Sequence, residues 1–380
     1  MIDKIREWVT INDRRVKTTY YYLHENAEIS WKEYETTKFL CEQLQLLNIR
    51  YETFPDHTGV VGYWGDANEG PTIALRADMD ALFQKVGDEW KANHSCGHDA
   101  HMTIMLSSII CLKEIGFEPK GLIKIIFQPA EESGNGAKAI IEKGILDDVE
   151  YLIGTHLRPI QELPFGVASP GIYHGATTLL KGRIKGLQAH GSRPNLGINV
   201  VNSLGAIIQA VNSIKIDSTK PASAKVTAVK AGGENINIIP DYGEFGIDVR
   251  AQENDVMKKL IEEVKNAVVN AGSANKAEVE IYSITSMVAA EPSIELEDVV
   301  RECIVKAIGE EGLSEPPITP GGEDFHFYKE SYPNLQATMI GIGAGLSPGL
   351  HHPEMTFHLQ ALHNGVKIIS GTVMELLKQA

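Results

Sequence analysis

Cysteine is scarce in this chain. Cys41, Cys96, Cys111 and Cys303 are the only four in 380 residues, and their wide spacing excludes a disulfide framework. Buried free thiols are expected at Cys41, Cys111 and Cys303. Positive charge is also short. Lys and Arg number 35 against 50 Asp and Glu, a net charge of -15, so no general basic surface awaits a nucleic-acid backbone. Long apolar runs are missing. The longest, around residues 103–112, stops at Lys113 and is too short to cross a bilayer. Charges interrupt Met1-Ile2-Asp3-Lys4-Ile5-Arg6-Glu7, which therefore lacks the apolar centre of a signal peptide. The expectation is a cytoplasmic protein that engages neither nucleic acid nor membrane. Internal repeats and low-complexity tracts are absent. With 43% hydrophobic and 22% charged residues the composition is that of a folded globular protein, and the length suits two domains.

The first third alternates helical and strand patterns. Helices are expected over 36–47, 100–112 and 137–143, and strands over 72–77, 122–127 and 151–154. That order predicts an α/β fold: a three-layer domain around a mostly parallel mixed sheet. In such sheets ligands gather beyond the carboxyl ends of the strands. Asp78, Asp80, Glu131, Glu132 and His156 all follow expected strands there. The middle changes rhythm. Strands over 178–185, 225–230, 245–249 and 278–282 enclose helical patterns from Val200 to Ile214 and from Val256 to Val268. The order β-α-β-β-α-β is a self-contained ferredoxin-like unit. The expected division is a discontinuous domain over 1–172 and 287–380, interrupted by an inserted domain over 173–286. After Pro292 the first pattern resumes, with a helix over 299–308, a strand over 337–342 and a closing helix over 360–377.

Cys96-Gly97-His98 places a thiolate and an imidazole on either side of a glycine, so both can turn toward one ion. Glu132 follows His98 by 34 residues (132 - 98), His156 follows Glu132 by 24 (156 - 132), and His351 lies far downstream. Cysteine, histidine and carboxylate together suit zinc or a neighbouring transition metal rather than magnesium or calcium. Five such donors suffice for two ions, a recurring arrangement for hydrolysis. In an extended segment, Glu131 and Glu132 would point to opposite sides, one toward metal and the other toward the attacking water.

These residues fall within a run of motifs: Leu75-Arg76-Ala77-Asp78-Met79-Asp80-Ala81-Leu82, Cys96-Gly97-His98-Asp99, Phe127-Gln128-Pro129-Ala130-Glu131-Glu132, Gly154-Thr155-His156, Asn237-Ile238-Ile239-Pro240-Asp241, Gly322-Glu323-Asp324-Phe325 and Leu350-His351. In this order the chain resembles the amidohydrolase branch of the M20 metallopeptidases, which includes N-acyl-amino-acid, hippurate and auxin-conjugate hydrolases. The resemblance implies a catalytic domain interrupted by a lid and dimerisation domain, hence a homodimer through the lid. It also implies two divalent transition metal ions per subunit, zinc or manganese, with cobalt or nickel as alternatives. Cys96, His98, Glu132, His156 and His351 correspond to the metal ligands, Glu131 to the general base, and Asp78 to a metal-supporting aspartate. His190 corresponds to a group directed at the substrate carbonyl, and Asn237 and Arg250 to substrate-binding residues. The implied reaction is hydrolysis of the amide bond of small N-acyl amino acids. The alternative on the same centre is a metallocarboxypeptidase or dipeptidase.

The pattern departs from the family in two places. Residues 82–95 form a short segment reading Phe83-Gln84-Lys85-Val86, where relatives carry a proline and a longer hairpin. Gln188-Ala189-His190-Gly191 stands where the family has Gly-Gly-His-Ala. Both bear on acyl specificity. Arg250 has a competing structural use, an ion pair with Asp248, and His352 competes with His351 for one role.

Overall fold

The computed structural model describes residues 2–378. They divide into two compact units: residues 2–173, 291–318 and 324–378 in the first, and 174–290 with 319–323 in the second.

The first unit is built on a seven-stranded mixed sheet. Its centre is four parallel strands in the order Leu122–Gln128, Thr72–Asp78, Tyr151–Pro159, Gln336–Leu346. Antiparallel strands flank them: Val60–Gly65 and Arg50–Thr53 on one side, the short Ala168–Ser169 on the other. All seven residues of Thr72–Asp78 are buried. A strand covered on both faces reads as a continuous apolar run, and that is why Thr72-Ile73-Ala74-Leu75 shows no alternation. The helix His98–Glu114 is buried nearly all round and packs against the closing helix Gln360–Leu376, which also meets Ile294–Ile308. The short helices Gly136–Glu142 and His326–Ser331 pack against each other and against strands of the sheet. One continuous apolar core joins sheet and helices.

Several expected boundaries move. Tyr151–Pro159 runs on well beyond 154, so His156 lies inside a strand rather than after it. Thr155, His156 and Arg158 look like loop residues, but all three are buried. The Thr155 hydroxyl donates to the Ile340 carbonyl and Arg158 is paired with Glu162, so none forces the chain out of the sheet. Two N-terminal helices, Ile2–Ile11 and Asp13–Glu25, and the hairpin Leu82–Val86/Glu89–Asn93 had no counterpart in the pattern reading.

The second unit carries a four-stranded antiparallel sheet in the order Ala222–Ala231, Tyr242–Ala251, Ala176–Lys185, Glu278–Met287. Helices Val200–Asn212 and Asn254–Ala274 close its own apolar core. After the exposed Tyr242, the strand Tyr242–Ala251 alternates buried and intermediate positions, as a strand with one face on a core must. Among the described residues no helix is long and apolar enough to cross a membrane.

Candidate metal centre

The centre forms where the parallel strands end. Gly97 stands at φ +90 as the N-cap of His98–Glu114, a left-handed geometry open to a residue without Cβ. That turn brings Cys96 and His98 onto the same pocket. Strand Tyr151–Pro159 supplies His156, the turn after Leu122–Gln128 supplies Glu131 and Glu132, and a loop after Gln336–Leu346 supplies His351.

Donor atoms of Cys96, His98 and His156 lie within 4.8 Å of one another, as do those of Cys96, Glu132 and His351, and those of His98, Glu131 and Glu132. Cys96 Sγ is 3.6 Å from His156 Nε2. His98 Nε2 is 3.9 Å from both Glu131 Oε2 and Glu132 Oε1, and His351 Nε2 is 3.5 Å from Glu132 Oε1. The structure therefore gathers all five expected donors and Glu131 around one pocket. His352 is exposed, and its Nδ1 accepts the Glu354 N–H.

The surroundings fix which nitrogen is offered. His156 Nδ1–H donates to the Leu157 carbonyl at 2.6 Å, leaving the Nε2 lone pair for the pocket. The Leu157 N–H donates to His101 Nε2 at 2.9 Å, while His101 Nδ1–H donates to Asp78 at 2.7 Å. Both nitrogens of His101 are thus engaged, and it acts as a strut. Asp78 reaches back to Arg76 and stands 3.9 Å from His98 Nδ1. Asp80 stands nearer, 3.4 Å from the same nitrogen. Its two oxygens also accept the N–H groups of Glu131 and Glu132, at 3.0 and 3.1 Å. A carboxylate behind a histidine fixes ring orientation and makes the opposite nitrogen a better ligand.

Glu131 and Glu132 do not lie in an extended segment. They occupy a tight turn after Ala130, which has φ +55, and the Gly134 N–H closes on the Glu131 carbonyl at 2.7 Å. Turn geometry, not strand alternation, aims the two carboxylates. His351 is also left-handed, at φ +64, held by its N–H on the Ser95 carbonyl at 2.7 Å. The 82–93 hairpin steadies that loop: Gln84 donates to the His351 carbonyl and Asn93 to that of Pro353. Strained backbone at a candidate ligand is a common mark of a functional site.

Burial pushes Glu132 up to about 7, opposed by His98 and reinforced by Asp80. Burial, then Glu132, pushes the Cys96 thiol well above its ordinary value. Burial holds His156 in the neutral, ligating form, aided by His101. Among the described residues Nε2 of His98 and Oε1 of Glu132 are buried without a hydrogen-bond partner. Buried polar atoms left unmatched are costly unless something fills the space between them. A soft-and-borderline donor set with unmatched atoms fits divalent transition metals, which would also reverse the upward shifts of thiol and carboxyl.

His190, Asn237 and Arg250 belong to the second unit. His190 is exposed, its Nδ1 accepting from the Ser192 N–H and hydroxyl. Asn237 is exposed, and its carbonyl takes the Gly191 N–H at 2.7 Å. Arg250 is forked onto Asp248 at 2.7 and 3.1 Å, with a third contact to the Pro320 carbonyl. The structural use of Arg250 is thus present.

Comparison with known proteins gives one answer. The model of "Peptidase family M20/M25/M40" matches residues 74–375. The IAA-amino acid hydrolase ILR1-like 2 of Arabidopsis thaliana is 29% identical over 374 residues, covering 94% of this chain and 84% of that protein. The N-acetylcysteine deacetylase of Bacillus subtilis (strain 168) is 30% identical over 379 residues, covering 95% of each. Among solved structures, the Bacillus subtilis YXEP protein, described as a dinuclear metal-binding peptidase of family M20, superposes with a TM-score of 0.81 at 25% identity, over 97% of this chain and 99% of that one. The chain belongs to peptidase family M20/M25/M40 and is a hydrolase.

Proposed function

We propose that this hydrolase cleaves the amide bond of N-acyl amino acids, with a divalent transition-metal pair held by Cys96, His98, Glu132, His156 and His351. The observation that carries this reading is the convergence of those five side chains around unmatched buried atoms of His98 and Glu132. The names of the relatives, hydrolases and deacetylases of amino-acid conjugates, support the substrate class. When bound, two such cations, zinc or manganese with cobalt or nickel as alternatives, supply Lewis acidity that lowers the pKa of water and polarises a carbonyl.

The protein's own groups do the rest. Glu131 takes a proton from the attacking water and returns it to the departing amine nitrogen. Asp80 and Asp78 orient the imidazole of His98, and Leu157 orients that of His156. His190 donates to the developing oxyanion. Asn237 and Arg250 receive the substrate carboxylate, Arg250 by sharing its fork with Asp248. The second unit serves as lid and as the contact of a homodimer. A cytoplasmic setting keeps the Cys96 thiol reduced.

The test is turnover of a panel of N-acetyl amino acids against unblocked dipeptides, on metal-replete protein. Cleavage of the blocked amino acids is expected, with Glu131→Gln lowering kcat by about 10²–10⁴-fold. Preference for unblocked dipeptides would assign the same centre to a dipeptidase or carboxypeptidase. Wild-type turnover in Glu131→Gln would remove Glu131 as the base.

A further inference from the structure

The metal centre is gripped from behind by residues 28–33, which belong to none of the motifs that carry the chemistry. The Ala81 N–H donates to the Glu28 carbonyl at 2.8 Å. The Glu28 carboxylate accepts the Thr36 N–H and hydroxyl, both at 2.9 Å, and so ties the segment to the start of helix Tyr34–Leu46. The Ser30 hydroxyl donates to Asp80 Oδ2 at 2.6 Å, and that carboxylate takes the Glu131 and Glu132 N–H groups. Glu33 goes further in. It is 0% exposed, its Oε2 accepts the Thr58 hydroxyl at 2.5 Å, and its Oε1 accepts the Ala130 N–H at 2.9 Å.

Ala130 is the residue at φ +55, immediately before Glu131. A left-handed conformation is strained for a residue with a Cβ and persists only where the surroundings enforce it. Here the enforcing group is a buried carboxylate. An apolar side chain of similar size would fill that space without the desolvation cost, so packing alone does not account for a glutamate. What the carboxylate adds is an acceptor for one particular N–H. Fixing that N–H fixes the peptide plane before Ala130, Asp80 fixes the plane after it through the Glu131 N–H, and together they hold the φ of Ala130 that sets where the Glu131-Glu132 turn points.

We propose that Glu33 is a positioning residue for the hydrolytic reaction: its grip on the Ala130 N–H holds the left-handed turn that presents Glu131 and Glu132, with Ser30, acting through Asp80, as the second anchor. This rests on the reading of Glu131 as the base, while the anchoring itself can be tested without turnover.

The experiment compares full-length, metal-replete wild type, Glu33→Ala, Glu33→Gln and Ser30→Ala. It reads kcat and KM on an N-acetyl amino acid, and hydrogen exchange of the Ala130 amide by mass spectrometry of peptide 127–135. Misplacing a catalytic group by about 1 Å costs roughly 10²-fold. Glu33→Ala is therefore expected to lower kcat by about 10–100-fold, leave KM within about threefold, and unprotect the Ala130 amide. Glu33→Gln keeps an amide oxygen for the same N–H, so it should retain protection and a kcat within about fivefold of wild type. Wild-type kcat and a protected amide in Glu33→Ala overturn the proposal, as does Glu33→Gln being as damaged as Glu33→Ala in both readouts. Should Glu33→Ala not fold, Ser30→Ala decides: a lower kcat at unchanged KM supports the anchor, and wild-type values overturn it. If wild type hydrolyses no amide, the function falls separately, and exchange at Ala130 still decides the anchor.

Discussion

Replacing Arg76 by methionine should cost this protein a large part of its stability. Arg76 is 1% exposed at the centre of the parallel sheet. Its Nε donates to Gln128 Oε1 at 2.8 Å, one terminal nitrogen to Asp78 at 2.6 Å, and the other to Asp324 at 2.7 Å. Burial works against the charge on Asp78, but His98, His101 and Arg76 hold its carboxyl well below the usual carboxylate range. Methionine would fill most of the volume and leave two buried carboxylates without their shared cation. Asp324 would keep Gln128 Nε2 and the Ala137 N–H, and Asp78 would keep His101. Removing one member of such a buried set costs about 3–5 kcal/mol. At about 2–4 °C per kcal/mol, the melting temperature of the first unit should fall by roughly 6–20 °C. Thermal and urea unfolding of Arg76→Met, Asp324→Asn and the double variant measure this. The double variant should recover about 0.5–3 kcal/mol relative to additivity, since the sites are in direct contact. A loss below about 1 kcal/mol, or strict additivity, would show that these charges do not stabilise one another.

Other outcomes follow from the same geometry. Gly136→Ala should destabilise by about 1–3 kcal/mol or abolish folding, because its Cβ would sit 1.8 Å from the Pro129 carbonyl oxygen; a melting curve matching wild type would refute the close approach. Burial, aided by Arg76, holds His326 down at about 3. The unfolded chain therefore binds a proton that the folded one refuses, and stability should fall as pH drops from about 6.5 toward 3. His326→Gln should flatten that slope in melting temperature, and an unchanged slope would exclude His326 as its source. Chelator treatment should abolish hydrolysis, and added manganese or zinc should restore it; full activity after exhaustive dialysis against chelator would separate the reaction from the metals.

The sequence exposes some layers of this protein more readily than others. Central strands are legible because burial on both faces writes itself as nearly continuous apolar runs, as in Leu122–Gln128, which only Lys124 interrupts before Gln128. The inserted unit is legible because its strands alternate and its helices repeat at helical spacing. Polar residues that stay inside a strand are not. Thr155 and Arg158 find partners at Ile340 and Glu162, and nothing in the local pattern of residues 151–159 announces those bonds. The N-terminal helices are legible too, since Ile5, Trp8 and Val9 and then Val16, Tyr20 and Leu23 recur at helical spacing, a stripe that the elements assigned from the sequence omit. At the centre, cysteine, histidine and paired glutamates mark themselves by residue type and short spacing. Their aiming does not, since the left-handed turn at Ala130 depends on Glu33, 97 residues away, and Asp80 acts on backbone N–H groups that carry no sequence signal.

The central claim is that Cys96, His98, Glu132, His156 and His351 together bind divalent transition metal. Cobalt(II) titration of metal-free protein tests it directly, read by absorption and by bound-metal stoichiometry. Two cobalt ions per chain are expected, with a near-ultraviolet thiolate-to-cobalt band that Cys96→Ser eliminates. No bound cobalt, or the same thiolate band in Cys96→Ser, would contradict the account.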